Sequence, residues 1–447
     1  LSRSIIVVKA EGFLEKTFSY LEKSFFLERA YSLLPKREGS KKNGILLVYG
    51  ICAFLLLLSG KPFVKSTIPS LLLVFNIALG LVLIFLFSQA FLTKKDVRFD
   101  KVAFGIVVFF MVMSVPGAMY GYWQFGNLWG ILSEFFLWVS FFTLCFIAGN
   151  IKEKILKEEF LAINLLVATG LAVFALYGFF ITKSGYISIE GYEDITMRAA
   201  SLLLNPNALA GYLGITILAS LPLLRSKRYK KIVLLVMPMC LLAFFLTFSR
   251  GAIVAFLIGL LYLVVRMRNK KVIILSIVTL FILSLLAFLM PSSRSRIVNI
   301  TNPTHILYSS ENGRIWSLKN VNHIMNNDKA WAFGLGLGSY GGPLAYEKGS
   351  VAYFDGLQNG FKAIGNTDNQ WLQIYAQQGL VGILLFLLFL SYVWRRSKDL
   401  SKKAFDYHFI VPIVIVFFGM DMLFADALQF PAVACLFFSL MGAAIIE

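Results

Sequence analysis

KKIVLLVMPMCLLAFFLTFSRGAIVAFLIGLLYLVVRMRNKK, residues 230–271, contains two apolar runs, 232–248 and 251–266, that meet at one arginine, Arg250. Inside a bilayer the backbone must satisfy its own hydrogen bonds, so each run reads as a helix, which needs roughly 17–25 residues to cross the hydrocarbon. Lys230, Lys231, Arg266, Arg268, Lys270 and Lys271 place positive charge at both ends. Lysine and arginine in short loops hold the cytoplasmic side. The stretch therefore reads as a membrane hairpin with Arg250 at the outer edge of the bilayer.

The rest of the chain repeats the pattern. Of 447 residues, 58% are hydrophobic and 15% charged, with a mean hydropathy of +0.76, values foreign to a soluble domain of this length. Spans are expected at 45–59, 68–92, 102–120, 127–150, 160–182, 208–224, 232–248, 251–266, 272–290, 370–394, 405–424 and 428–446. The fold class is thus an all-α integral membrane protein of about twelve transmembrane helices, with a large extracytoplasmic loop that contains short helices.

Four regions follow: a cytoplasmic amphipathic segment over 1–43, helices over 44–290, an extracytoplasmic loop over 291–369, and helices over 370–447. Basic strings concentrate in 36–44, 93–101, 151–159, 225–231, 267–271 and 395–404, which sets both termini inside and 183–207 and 291–369 outside. The net charge of +18 belongs to these loops and argues against nucleic acid as a partner. Cys52, Cys145, Cys240 and Cys435 lie in apolar runs, where they read as small buried hydrophobes with no disulfide or zinc site. The chain opens at Leu1 without a basic-then-apolar leader, so the first membrane helix is expected to direct insertion.

Chemistry concentrates late in the chain. An arginine near hydrocarbon costs about 2.5–3.5 kcal/mol at a helix centre, so Arg250 is either an interfacial residue reaching headgroups or a clamp for an anion. Its planar fork suits phosphate oxygens better than lysine does. Arg314 precedes Ile315, Leu318, Val321, Ile324 and Met325, apolar at helical spacing, and a second arginine would suit a diphosphate. Arg294 and Arg296 add further charge to the loop.

Gly334-Leu335-Gly336-Leu337-Gly338 has neither the strand nor the helix of a nucleotide-binding unit around it, and reads as close backbone packing or a flexible lid. Thr367 or Asp368 is suited to cap the helix that follows, and Asp368 is equally suited to accept a proton. Arg198 precedes the helix-opening turn Asn205-Pro206-Asn207, while Asp421 and Asp426 could counter the arginines. His305, His323 and Asp355 are scattered through the outer loop, and neither a metal nor a cofactor is expected.

In their order, these pieces resemble the O-antigen ligase/polymerase superfamily of bacterial envelope glycan enzymes. The matching residues are Arg198 with Asn205-Pro206-Asn207, Phe248-Ser249-Arg250-Gly251, Arg314 with Trp316, the glycine cluster, and Asp368-Asn369-Gln370-Trp371-Leu372 running on to Gly379-Leu380-Val381-Gly382. The resemblance covers about residues 195–395 and implies a GT-C-like helical enzyme in the bacterial cytoplasmic membrane with its site facing outward. It implies a glycan donor linked to undecaprenyl diphosphate, membrane lipid around it, and a glycan, lipid or protein acceptor.

By position, Arg250 and Arg314, with Arg198, would bind the diphosphate. Asp368 would serve as base, with Asn369, Asn207, Asp421 and Asp426 in support. Ligases of this family place a histidine where this chain has Asp368, which raises the polymerase reading to equal standing. Beside two arginines Asp368 is expected to stay ionised. The competing class is a polysaccharide or lipid-linked sugar transporter or flippase, which twelve helices would fit. Against it, the charged groups gather at the outer mouth rather than at mid-membrane.

Overall fold

The computed structural model describes residues 100–126, 128–149, 154–183, 186–190, 194–203, 205–267, 314–340, 368–401 and 406–445. The expected segment 1–43, the spans at 45–59, 68–92 and 272–290, and Arg294, Arg296, His305 and Asp355 lie outside the described residues. The helices are α1 (Lys101–Phe125), α2 (Leu128–Gly149), α3 (Lys154–Phe180), α4 (Pro206–Ala219), α5 (Lys230–Leu246), α6 (Arg250–Met267), α7 (Arg314–Asn327), α8 (Gln370–Leu400), α9 (Tyr407–Asp421) and α10 (Pro431–Ile445). Nine of the expected spans fall on helices, all of these but α7. Among the described residues, five helices are long and apolar enough to cross a membrane: Lys101–Gln124, Gly130–Gly149, Lys157–Phe180, Pro206–Arg225 and Gln370–Leu400.

One departure from an all-helical chain is a short antiparallel hairpin, β1 (Tyr186–Glu190) with β2 (Asp194–Arg198), pairing Tyr186 with Arg198 and Glu190 with Asp194. Its sequence is rich in tyrosine, isoleucine and threonine, which favour strands, and a loop between two helices leaves them free to pair with each other.

Local chemistry starts several helices. Asp100 accepts the Val102 and Ala103 N–H groups at 3.0 Å and caps α1. Asp406 accepts the Phe409 N–H at 2.6 Å and caps α9. Two cations reach the carbonyls that end α10: Lys157 Nζ donates to Ala443 O at 3.1 Å and Arg396 Nε to Ile445 O at 3.3 Å.

An aromatic core joins four helices. Phe110 of α1, Trp138 and Phe142 of α2, Phe386 and Phe389 of α8 and Phe438 of α10 meet with ring centroids 5.0 to 6.4 Å apart. By contrast, Leu234, Leu235, Leu384 and Leu388 are exposed. For a membrane helix such residues face lipid and need no further partner.

Helix α8 is broken at Gly379, where φ is 67° and ψ −165°. A break inside an apolar helix frees backbone groups that hydrocarbon cannot satisfy. The segment after α7 supplies them: Leu335 N–H donates to Ala376 O (2.8 Å) and Gly336 N–H to Gln377 O (3.0 Å). In return, Leu380 N–H donates to Trp331 O (2.9 Å) and Val381 N–H to Ala332 O (3.1 Å).

The glycines explain how this strap fits. Gly334, Gly336 and Gly338 all have positive φ, and a Cβ on each would strike main chain: Gln377 of α8, Gly117 of α1 and Gly130 of α2 respectively. Of the two readings open for this cluster, close backbone packing is the one observed.

Candidate active site

The candidate residues gather where α4, α6, α7 and α8 begin and α9 ends. Arg198 closes β2 and is 7% exposed. Its Nε donates to Thr247 O and its Nη2 to Asn207 Oδ1, both at 2.8 Å, and Ala199 N–H donates to Leu246 O at 2.8 Å. The Asn-Pro-Asn turn thus divides its labour. Asn205 caps α4 through the Asn207 and Ala208 N–H groups, Pro206 fills the first helical turn, and Asn207 turns its oxygen to Arg198.

Arg198 in this way ties the hairpin to the corner between α5 and α6. At that corner Thr247 Oγ1 donates to Phe244 O at 2.6 Å and accepts from Ser249 N–H at 3.3 Å, while Phe248 takes a left-handed φ of 48°. Arg250 follows as the first residue of α6, half-buried, where the partial positive charge of the helix end adds to its own.

Phe424, in the turn after α9, is the meeting point. A Cβ on Gly251 would strike its side chain, so the start of α6 lies directly against it. Arg314, exposed at the start of α7, donates from Nη2 to Phe424 O at 2.7 Å and lies 5.8 Å from the ring centroid. Arg314 and the residue that follows Arg250, far apart in sequence, thereby meet at Phe424.

Helix α7 turns Trp316, Val321, Ile324 and Met325 inward, the last three packing on Leu335, Tyr340, Leu372 and Ala376. Ile315 and Leu318, expected on that face, are 42% and 50% exposed. The buried stripe runs one position further round the helix, with Trp316 as its anchor.

Asp368 has φ 49°, and its N–H and that of Asn369 donate to Asp426 Oδ2 (3.0 Å) and Oδ1 (2.9 Å). The cap of α8 is Asn369, whose side chain accepts Leu372 N–H at 3.0 Å, in place of the expected Asp368; the other candidate, Thr367, lies outside the described residues. The Asp368 carboxyl is therefore relieved of capping. It keeps access to solvent yet is crowded by protein, and this loss of hydration raises it above the usual carboxylate range; the Arg314 and then the Arg198 charges pull it part of the way back. The expected order of the two effects is reversed, because the crowding outweighs the arginines.

Asp421 ends α9, is 1% exposed, and neither of its carboxylate oxygens has a hydrogen-bond partner among the described residues. Its Oδ2 faces Gly211 of α4. His323 pairs with Asn327 at 2.9 Å.

Helix α8 also carries a buried polar face that no expectation from the sequence included. Gln370 donates to Gln373 Oε1 (3.3 Å) and accepts Leu428 N–H (2.9 Å), and Gln377 donates to Tyr340 O (2.8 Å). Gln429 in turn donates to the buried Glu134 at 3.4 Å. Glutamines at 370, 373 and 377 share one helical face, and that spacing is the signal that would have found them.

A family model described as O-antigen ligase matches residues 232–387. Over that segment the chain is similar to the O-antigen ligase/polymerase superfamily. No curated protein matches it. The matched segment holds Arg250, Arg314 and Asp368, while Arg198, Asn207, Asp421 and Asp426 lie outside it and reach the same place through the fold.

Proposed function

We propose that this membrane protein is a glycosyltransferase of the O-antigen ligase type, moving a glycan from undecaprenyl diphosphate to an acceptor hydroxyl on the outer side of the cytoplasmic membrane. The observation that supports the reading is that Arg314 donates to Phe424 O while Gly251, the residue after Arg250, packs on the Phe424 side chain, with the Arg314 charge acting on Asp368. Two guanidinium groups match the two phosphates of the donor.

Asp368 takes the proton of the acceptor hydroxyl as its oxygen attacks the anomeric carbon. The bond from that carbon to the diphosphate breaks, and its electron pair leaves on the diphosphate oxygen, where Arg250 and Arg314 stabilise the growing charge. A single displacement inverts the anomeric configuration. Arg198 supports the site by holding the Asn207 and Thr247 ends together.

Asp368→Asn is expected to lower turnover by about 10²–10⁴-fold, the usual worth of a general base. A base must be ionised to act. Because the Asp368 pKa is raised, the rate of the native protein should fall with acidification at a higher pH than an ordinary carboxylate would give. A pH–rate profile without that limb would remove Asp368 from the role.

The experiment that separates the possible acceptors is incubation of purified protein with undecaprenyl-diphosphate oligosaccharide alone, with products resolved by size. A ladder of longer lipid-linked glycans marks a polymerase. Turnover only after addition of a lipid A core acceptor marks a ligase, and turnover only with a hydroxyl-bearing peptide marks a protein glycosyltransferase. Failure with every acceptor, together with movement of the lipid-linked glycan across proteoliposomes, would replace the proposal with the transporter.

A further inference from the structure

We infer that Asp426 is a positioning residue whose carboxylate, by holding two consecutive backbone N–H groups, sets the direction of the Asp368 side chain. The inference rests on the transferase reading for its functional meaning, but its geometry stands independently.

Asp368 adopts φ 49°, a left-handed conformation that the Cβ of an L residue disfavours, so neighbouring structure must hold it there. The Asp368 and Asn369 N–H groups both point into the one carboxylate, at 3.0 Å and 2.9 Å. Successive amides converging on a single anion form a concave donor pair, and an ionised acceptor makes such bonds shorter and stronger than a neutral one.

The grip extends beyond this pair. Gln370 N–H donates to Met422 O at 2.8 Å and Ala425 O at 3.2 Å, and Leu428 N–H returns to Gln370 Oε1 at 2.9 Å. Asp426 is itself buried at 4% exposure and opens the short helical turn Ala427–Gln429, with Gln429 N–H on its carbonyl at 3.0 Å. The turn after α9 therefore holds the start of α8 as a fixed unit, and Asp368 is the residue of that unit whose carboxyl the arginine charges reach.

A carboxylate suits this place for a reason of inventory. It has two acceptor oxygens, whereas an asparagine would turn an NH₂ toward one of the two N–H donors. Loss of the clamp should let Asp368 rotate while the arginines keep their own contacts.

The test uses the full-length protein in proteoliposomes with undecaprenyl-diphosphate oligosaccharide and whichever acceptor supports wild-type turnover. Asp426→Asn is expected to lower kcat by about 100-fold, the scale of an ångström-sized misplacement, with the donor KM changed by no more than about twofold. Hydrogen–deuterium exchange should quicken in the peptide covering 368–370 and stay unchanged in α10. A kcat equal to wild type, a loss confined to donor KM, or unchanged exchange over 368–370 would each overturn the proposal.

Should Asp426→Asn not fold, Asp426→Glu, which keeps both oxygens on a longer arm, decides the matter. A slowed kcat at unchanged donor KM supports positioning, and wild-type kcat overturns it. If the wild type transfers glycan to no acceptor, the transferase reading fails by itself, and the exchange measurement still decides whether Asp426 holds the Asp368 backbone.

Discussion

Arg314→Ala is expected to reduce glycan transfer by about 10³-fold while leaving the yield of folded protein unchanged. Both halves follow from where Arg314 lies. It is exposed at the start of α7, and the buried side of this helix is made by Trp316, Val321, Ile324 and Met325, so removing the guanidinium opens no cavity in that packing. Its bond to Phe424 O is made by a group open to solvent, and water can replace it there.

The catalytic loss is large because the positive charge would act on an anion formed mainly in the transition state. Arg314→Lys should recover part of the rate, since it restores the charge without the planar fork that grips two oxygens at once. A second signature distinguishes electrostatics from shape. The Arg314 charge lowers the Asp368 pKa against the rise caused by crowding, so its removal should move the acid limb of the residual activity to still higher pH. Single-turnover rates over a pH series, with thermal unfolding as control, measure both effects. An alanine variant within threefold of wild type would end the clamp reading.

Gly336→Val should abolish folding rather than activity alone. The glycine has φ 100°, and a Cβ there would lie 2.5 Å from the carbonyl oxygen of Gly117 and 3.2 Å from Ala118 Cα, both main-chain atoms that α1 cannot move aside. Its N–H also closes the break in α8 by donating to Gln377 O. Displacing the strap would thus leave carbonyls of a membrane helix without donors, each costing roughly 1–3 kcal/mol, on top of the steric clash.

The sum is a large share of the ~5–15 kcal/mol that holds a typical domain together. Size-exclusion yield in detergent is the measurement, with Phe333→Ser as comparison because Phe333 is exposed on the same strap. Normal yield for Gly336→Val would mean that the strap is a lid and not a packing element.

How much of this was legible in the sequence depends on the range over which each feature is decided. The corner at Arg250 was read correctly as the point where two helices nearly touch, and Asn205-Pro206-Asn207 as a helix start, because both depend on a few adjacent residues. The cap of α8 was misplaced by one residue. Asp368 and Asn369 are comparable cap formers by type, and the choice between them was made by Asp426, which holds both amides from a distant turn. Ile315 and Leu318 were set on the wrong face of α7 for a similar reason, since the side that is buried depends on what Leu335 and Tyr340 offer it.

Apolar runs and their basic flanks were enough to read a membrane protein and to place nine of its helices. Those features follow from transfer free energies that add along a contiguous run and from basic residues flanking it. The packing of the helices alone set that Phe424 would lie between the Arg314 guanidinium and Gly251, that Arg198 would serve Thr247 and Asn207, that glycines would plug a broken helix, and that Asp426 would hold Asp368. Each of these is a contact between segments far apart in the chain. Its energy depends on distance and direction between packed helices, and only their packing brings the two segments within reach.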